Sequence, residues 1–136
     1  MTTHTRNAIT FDRWLVIIVN QQESRTTTDP KQPLDATKET RRFIVLSPKD
    51  KRPVFNCIEC VSKKTSVQYP DVEILASQNK QLFSVDSIAR VGQIYTLSKS
   101  LEGITVLGSL TDIRLQNNIV IGIRYYLPTE IIPIKS

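Results

Sequence analysis

The chain of 136 residues has one histidine, two cysteines and no long apolar run. A structural zinc site needs about four ligands, whereas His4 lies near the start and Cys57 and Cys60 form a lone C-x-x-C. Residues three apart in a strand point to opposite faces, so we expect free, buried or half-buried thiols and neither metal nor cofactor. One histidine also argues against histidine-based acid–base catalysis, and neither a glycine-rich phosphate loop nor a Ser/His/Asp set is present.

Membrane-spanning and secretory segments are missing too. The longest apolar run, residues 14–19, is far shorter than the ~20 residues that cross a bilayer. Residues 1–10 are polar and lack the apolar core of a secretory signal, so we expect a flexible N-terminus. These features predict a cytoplasmic protein without a membrane partner.

What the chain does have is an ordinary globular composition, with 40% apolar and 23% charged residues. Its length suits one hydrophobic core, so we predict a single domain over residues 1–136. A polar stretch with two prolines predicts a long loop at 21–40, and residues 128–136 are expected to form a tail. The net charge of +5 favours polyanionic partners, although a charge of this size can serve solubility alone.

Short β-branched runs separated by polar connections predict a small β barrel or sandwich. Residues 12–20 (DRWLVIIVN) are apolar on both alternating faces, as in a central strand covered on both sides. Residues 87–97 read as one strand that bends at Gly92, since glycine inside a strand often marks a bulge. The remaining predicted strands are 41–48, 54–62, 71–76 and 104–107, with a turn at 98–103.

The C-terminal third allows two structures. Thr111 could cap a helix that has Asp112 in its first turn and ends before Pro128. A shared face would then carry four residues: Leu115, Ile119, Ile123 and Tyr126. Residues 119–125 are β-branched and alternate as well, so a strand is the alternative; capping and spacing favour the helix.

Six short sequence segments can be compared with a known protein family by their order and spacing. They are DRWLV from Asp12, RRFIVLSP from Arg41, CIECVSKK from Cys57, YPDVEI from Tyr69, DSIARVGQIYTLSKS from Asp86 and LGSLTD from Leu107. In order and spacing they resemble the MazF/PemK family of small toxin endoribonucleases over roughly residues 11–127. The resemblance implies a mainly β fold, a small SH3-like or CcdB-like barrel with a C-terminal α-helix. It further implies a homodimer that cuts single-stranded RNA without metal and is covered by an acidic antitoxin tail.

Three residues fall at positions where the resemblance implies catalytic roles. Arg41 would stabilise the charge of the transition state, because its planar fork matches phosphate oxygens; a solvated arginine before a strand is the alternative. Ser62 would contact the scissile phosphate, unless the matching position is Lys63 or the serine belongs only to a turn. Arg90 would assist, with a structural ion pair as the alternative.

Two positions depart from the family pattern. Gly92 stands where the family normally has an acidic residue, and Tyr95 where it often has arginine. Glycine cannot transfer a proton, and Asp86, although near in sequence, aligns to a framework position. A catalytically degenerate binding module for RNA or an acidic protein partner is therefore the alternative function.

Basic residues flank the same strands and could track RNA phosphates, or could be merely solvated. They are Lys49, Lys51, Arg52, Lys63 and Lys64. The leading hypothesis is a metal-independent endoribonuclease that acts as the toxin of a toxin–antitoxin pair. It requires the Arg41 guanidinium and the Ser62 hydroxyl to converge on one positively charged groove.

Overall fold

The structure, a computed structural model, describes residues 9–20, 40–64 and 66–126. Within these ranges seven strands form one antiparallel sheet, which a single α-helix follows. The elements are β1 (Leu15–Asn20), β2 (Thr40–Val45), β3 (Val54–Ser62), β4 (Val72–Ile74), β5 (Ser87–Ala89), β6 (Tyr95–Ser98), β7 (Ile104–Ser109) and α1 (Ile113–Tyr126). The strand order is β4-β5-β3-β2-β1-β7, and β6 also pairs with β3.

The predicted mainly β class with a C-terminal α-helix is confirmed. Among the described residues the sheet is not closed, because β4 and β7 form its two edges. The predicted N-terminal segment 1–10, loop 21–40 and tail 128–136 lie wholly or largely outside the described residues. No described helix has the length and apolar character needed to cross a bilayer.

Strand β1 shows why the first apolar run has apolar side chains on both of its faces. It lies between β2 and β7, and its alternating side chains enter two separate cores. Val16 packs into the core on the helix side of the sheet, whereas Ile17 and Val19 pack into a second core on the opposite face. Each fully buried side chain of this size contributes roughly 1.5–3 kcal/mol to folding. The prediction of a central, two-faced strand is confirmed.

Strand β3 organises the middle of the sheet. Its predicted bounds are confirmed, and one edge pairs with β2 at residues 57–60. The other edge pairs with β6 at residues 54–57 and with β5 at residues 60–62. The prediction of one bent strand over 87–97 is therefore wrong: residues 90–94 leave the sheet between the two pairings. Asp71 fixes this departure, because its carboxylate accepts a hydrogen bond from the backbone N–H of Val91 at 3.2 Å.

The C-terminal helix is confirmed and the strand alternative for 119–125 is wrong. Its cap is Asp112 instead of Thr111: Oδ1 of Asp112 accepts from the N–H of Leu115 at 3.3 Å, three residues on. Leu115, Ile119 and Ile123 form the buried face as predicted. Tyr126 does not belong to it, since 52% of its surface is exposed.

Gly122 allows α1 to lie close to the connection before β4. A Cβ at this position would stand 2.6 Å from the carbonyl oxygen of Pro70 and 2.9 Å from a methyl group of Val91. Backbone cannot yield to such a contact without moving the helix. The absence of a side chain at Gly122 therefore sets the distance between the helix and residues 90–94.

The remaining strand bounds differ by a few residues from those predicted. β1 begins at Leu15 because Trp14 adopts a positive φ of 75° and turns the chain. β2 ends at Val45, β4 is shortened to three residues and β7 extends to Ser109. The alternation of exposed and buried side chains that was predicted for residues 71–76 is present in β4.

Candidate functional site

Arg41 and Glu59 meet on one face of the paired strands β2 and β3. Phe43 lies opposite Glu59 in the register, and Arg41 is two positions from Phe43, so all three side chains point the same way. Nε of Arg41 donates to the carboxylate of Glu59, and both side chains are about 95% buried. The alternative of a solvated arginine is wrong.

Tyr95 completes the surroundings of this ion pair. It opens β6 opposite Cys57, and its hydroxyl accepts a hydrogen bond of 3.2 Å from Nη2 of Arg41. The guanidinium also lies 5.4 Å from the ring centroid of Tyr95 and 5.7 Å from that of Phe43. Contacts with a carboxylate, a hydroxyl and two aromatic rings therefore fix this cation in place.

The charge of Arg41 is secured by the same contacts. Burial alone would lower the pKa of the guanidinium, but the hydrogen bond and negative charge of Glu59, aided by Tyr95, raise it above its ordinary value. Arg41 is thus cationic at neutral pH. A fixed cation of this kind can stabilise a developing phosphorane.

A depression of about 520 Å³, here called the first depression, lies beside this ion pair. Its lining includes all three predicted catalytic residues, Arg41, Ser62 and Arg90, and one predicted RNA-binding residue, Lys64. Ser62 lies three residues after Glu59 in β3, so its side chain points to the opposite face of the sheet from Glu59 and Arg41. Arg42 and Glu59 also line it, so four cationic side chains and one acidic side chain surround the space. Such a charge balance suits an anion of the size and charge of a phosphodiester.

Ser62 and Arg90 present exposed side chains to the first depression. Ser62 is the last residue of β3, and Arg90 directly follows β5, where its backbone N–H donates to the carbonyl of Glu59 at 2.9 Å. Among the described residues Arg90 makes no ion pair, so the structural ion-pair alternative is wrong. Its guanidinium remains available to an incoming anion.

The other predicted basic residues do not form one surface with this site. Lys63 forms an ion pair with Glu73, and this hydrogen bond raises the pKa of Lys63. Lys49, Lys51 and Arg52 lie in the turn at the opposite end of β3. The nine residues of β3 span eight intervals of ~3.3 Å, so the two groups are about 26 Å apart.

Arg52 is further occupied by a neighbouring acid. Its Nη2 lies 2.7 Å from the carboxylate of Asp50, to which Nζ of Lys99 also donates at 2.9 Å. Lys99 and Arg52 together lower the pKa of Asp50 to about 2. This part of the turn is a local ion-pair network.

A second depression of about 270 Å³ lies against the first. Glu59 and Arg90 line both spaces, and the second is completed by Asp71, Gly92, Gln93, Tyr95 and Tyr126. Residues 90–94, which leave the sheet, supply three of its seven lining residues. The split between β5 and β6 therefore creates the boundary that the two depressions share.

Gly92 has a local structural explanation. A Cβ there would lie 3.1 Å from Cε2 and Cζ of the Tyr126 ring. The ring thus occupies the space into which an acidic side chain at this position would grow. The position of the Tyr126 ring therefore accounts for a residue without a side chain at position 92.

Glu59 is the functional candidate that sequence reasoning missed. It stands in an apolar strand, CIECV, and a charged residue there is almost never buried without a partner. That pattern demands a cation on a neighbouring strand, which Arg41 supplies. The sequence signal was present, but the pairing becomes visible only with the register of β2 and β3.

The two cysteines behave as predicted. Cys57 and Cys60 are free and buried, and they enter the cores on opposite faces of the sheet. Burial raises the pKa of both thiols, which keeps them protonated and unreactive. No group of three or more potential metal ligands occurs in the described part of the chain, and His4 lies outside it.

A scan against models of protein families finds no match to the chain, and a search of curated proteins finds none either.

Proposed function

We propose that this chain is a metal-independent endoribonuclease that cleaves single-stranded RNA at the first depression. The observation that carries the proposal is the cationic space beside Glu59, which Arg41 and Arg90 line and at whose rim β3 ends with Ser62. With Glu59 they come from three strands or strand ends, namely β2, β3 and the end of β5. They are the groups that phosphodiester cleavage needs: cations, a hydroxyl and a carboxylate.

The reaction would proceed by attack of the ribose 2′-oxygen on the adjacent phosphorus. Glu59 would accept the 2′-hydroxyl proton as the 2′-O–P bond forms, and the P–O5′ bond would break to leave a 2′,3′-cyclic phosphate. The departing 5′-oxygen would take up a proton from the resulting carboxylic acid, directly or through water. Arg41 and Arg90 would stabilise the charge on the phosphorane oxygens, where one fixed donor is worth about 3–4 kcal/mol.

The biological role that accompanies this chemistry is that of a toxin. It rests on the resemblance to the MazF/PemK family, which implies a homodimer restrained by an acidic antitoxin. The net charge of +5 supports both an RNA substrate and an acidic partner, because each is polyanionic.

Cleavage of a long single-stranded RNA in EDTA tests the enzymatic proposal. The wild type should cut it and release products with a cyclic phosphate. Arg90→Gln and Ser62→Ala should lose most of the rate, because both side chains are exposed at the depression and their removal leaves the core intact. Lys51→Gln, an exposed change at the far end of β3, is the matched control and should cut normally.

A folded wild-type protein that leaves the RNA intact would overturn the enzymatic proposal. A second candidate function, an RNA-binding module without catalysis, would then take its place. It is favoured by the lack of an acid at Gly92 and by the commitment of Glu59 to Arg41. This module would bind RNA uncut, and its expression without an antitoxin would not arrest growth, whereas that of a toxin should.

A further inference from the structure

Three tyrosines form a continuous exposed surface, here called the tyrosine patch: Tyr69, Tyr125 and Tyr126. Their exposed fractions are 71%, 64% and 52%. The rings of Tyr69 and Tyr125 meet edge to face at a centroid distance of 5.4 Å, and those of Tyr125 and Tyr126 at 5.3 Å. Contiguous apolar surface of this kind, unlike single exposed residues, marks a binding site.

Tyr126 connects the tyrosine patch to the candidate active site. Its ring passes over Gly92 and lines the second depression, whose other walls carry Arg90, Gln93, Tyr95 and the two acidic residues Glu59 and Asp71. An aromatic face thus stands next to a guanidinium and an amide, which offer hydrogen bonds in fixed directions. The space of about 270 Å³ is smaller than the ~300–1,000 Å³ of pockets for drug-sized ligands. It suits a ligand of the size of one nucleobase.

The second depression is also placed to receive a part of the same ligand as the first. Arg90 and Glu59 belong to both linings, so no wall of other residues separates them along this boundary. A polynucleotide whose phosphate lies in the first depression therefore carries a neighbouring nucleoside towards the second.

We propose that Tyr126, supported by Tyr125 and Tyr69, forms a stacking site for a nucleobase of single-stranded RNA beside the cleavage site. The inference rests on the proposed function and adds to it the part of the substrate that is recognised next to the phosphate. Stacking on an aromatic ring accepts any base, and Gln93 and Arg90 add donors that can favour one base over another. Charge supports a nucleic acid as this occupant, because four cationic side chains and one acidic side chain line the first depression, where the phosphate of the same strand would lie.

Binding of an uncleavable probe tests the stacking site. The probe is a short single-stranded 2′-O-methyl RNA, which lacks the attacking hydroxyl, measured in EDTA at one salt concentration. Its counterpart has the same backbone but a single abasic position, which is moved along the strand from probe to probe. The variants are Tyr126→Leu, Tyr126→Phe as the conservative change and Val106→Ala as a control on the exposed edge strand β7.

Tyr126→Leu should weaken binding of the intact probe roughly 5- to 100-fold, the loss expected for one stacked base. Tyr126→Phe and Val106→Ala should bind as the wild type does. One abasic probe should bind the wild type and Tyr126→Leu equally, because the base that stacks on Tyr126 is missing from it. Unchanged thermal melting of each variant establishes that folding is retained.

The outcomes separate this inference from the proposed function. Equal binding of the intact probe by wild type and Tyr126→Leu would overturn the stacking site while leaving cleavage untouched. Loss of self-association by Tyr126→Leu, with unchanged RNA affinity, would overturn it in favour of a protein interface. The expected binding pattern in a protein that never cuts RNA would support the stacking site and overturn only the nuclease. A wild type that binds no RNA would overturn both.

Discussion

The guanidinium of Arg41 and the carboxylate of Glu59 form a buried ion pair across two neighbouring strands. Eighteen positions separate them in the sequence, yet the register of β2 against β3 brings them together. The two residues that are proposed to act on a phosphate are thus also a buried ion pair, in which each charge balances the other inside the protein.

Breaking this pair should be costly, whereas replacing it should not. Glu59→Ala leaves a buried, unpartnered cation, so we expect a loss of about 3–5 kcal/mol in the free energy of unfolding. The double variant Arg41→Met/Glu59→Leu removes both charges and should recover most of that loss. Urea denaturation of Arg41→Met, Glu59→Leu and the double variant provides the measurement. Additive losses would show that the two side chains are not coupled.

The glycines at 92 and 122 should respond differently to the same substitution. Gly122→Ala places a Cβ against the Pro70 carbonyl, so we expect a loss of about 1–3 kcal/mol from overpacking. Gly92→Ala meets only the far end of the Tyr126 side chain, which can shift by a few tenths of an ångström. Its effect on the denaturation midpoint should be much smaller. A larger loss at Gly92 than at Gly122 would contradict this assignment of contacts.

The start of α1 should depend on Asp112 and not on its neighbour. Asp112→Ala removes the acceptor for the N–H of Leu115 and should destabilise the protein by about 1 kcal/mol. Thr111→Ala, the matched control, removes no capping bond and should leave the free energy of unfolding nearly unchanged. Thermal melting of both variants checks the prediction, and the reverse order of effects would restore Thr111 as the cap.

Asp50 should contribute to stability in a defined pH range. Lys99 and Arg52 lower its pKa to about 2 in the folded protein, compared with about 3.9 in an unfolded chain. Since the folded pKa is the lower one, the contribution is complete above about pH 4 and disappears as the pH falls towards 2. The stability difference between the wild type and Asp50→Asn should therefore shrink over that range. High salt should reduce it at neutral pH, because the network is largely exposed to solvent.

Local pattern was enough to predict most of the fold. The two-faced apolar run of β1, the alternation of β4 and the 3.6-residue spacing of α1 each follow from interactions within or directly beside one element. The division between β5 and β6 could not be read in this way, since it arises because β3 offers one edge to two partners. The exposure of Tyr126 likewise depends on where residue 92 lies.

The candidate site was predicted less completely for the same reason. Arg41, Ser62 and Arg90 were predicted through the resemblance, and all three line one depression, with Ser62 on the opposite face of the sheet from Arg41. Lys49, Lys51 and Arg52 looked equivalent to Lys63 and Lys64 because turns at both ends of a hairpin have similar compositions. Only the length of β3 shows that they are far apart. Glu59 could have been singled out as a buried acid, but its partner depended on strand register.

The departure of residues 90–94 from the sheet has a consequence for recognition. Both ends of this five-residue span are held by strands on β3, and Asp71 holds its middle through Val91. A short span restrained at three points has few conformations left to lose. Arg90 and Gln93 therefore lie on preorganised backbone. Binding of a ligand to them loses less conformational entropy than binding to a free loop would.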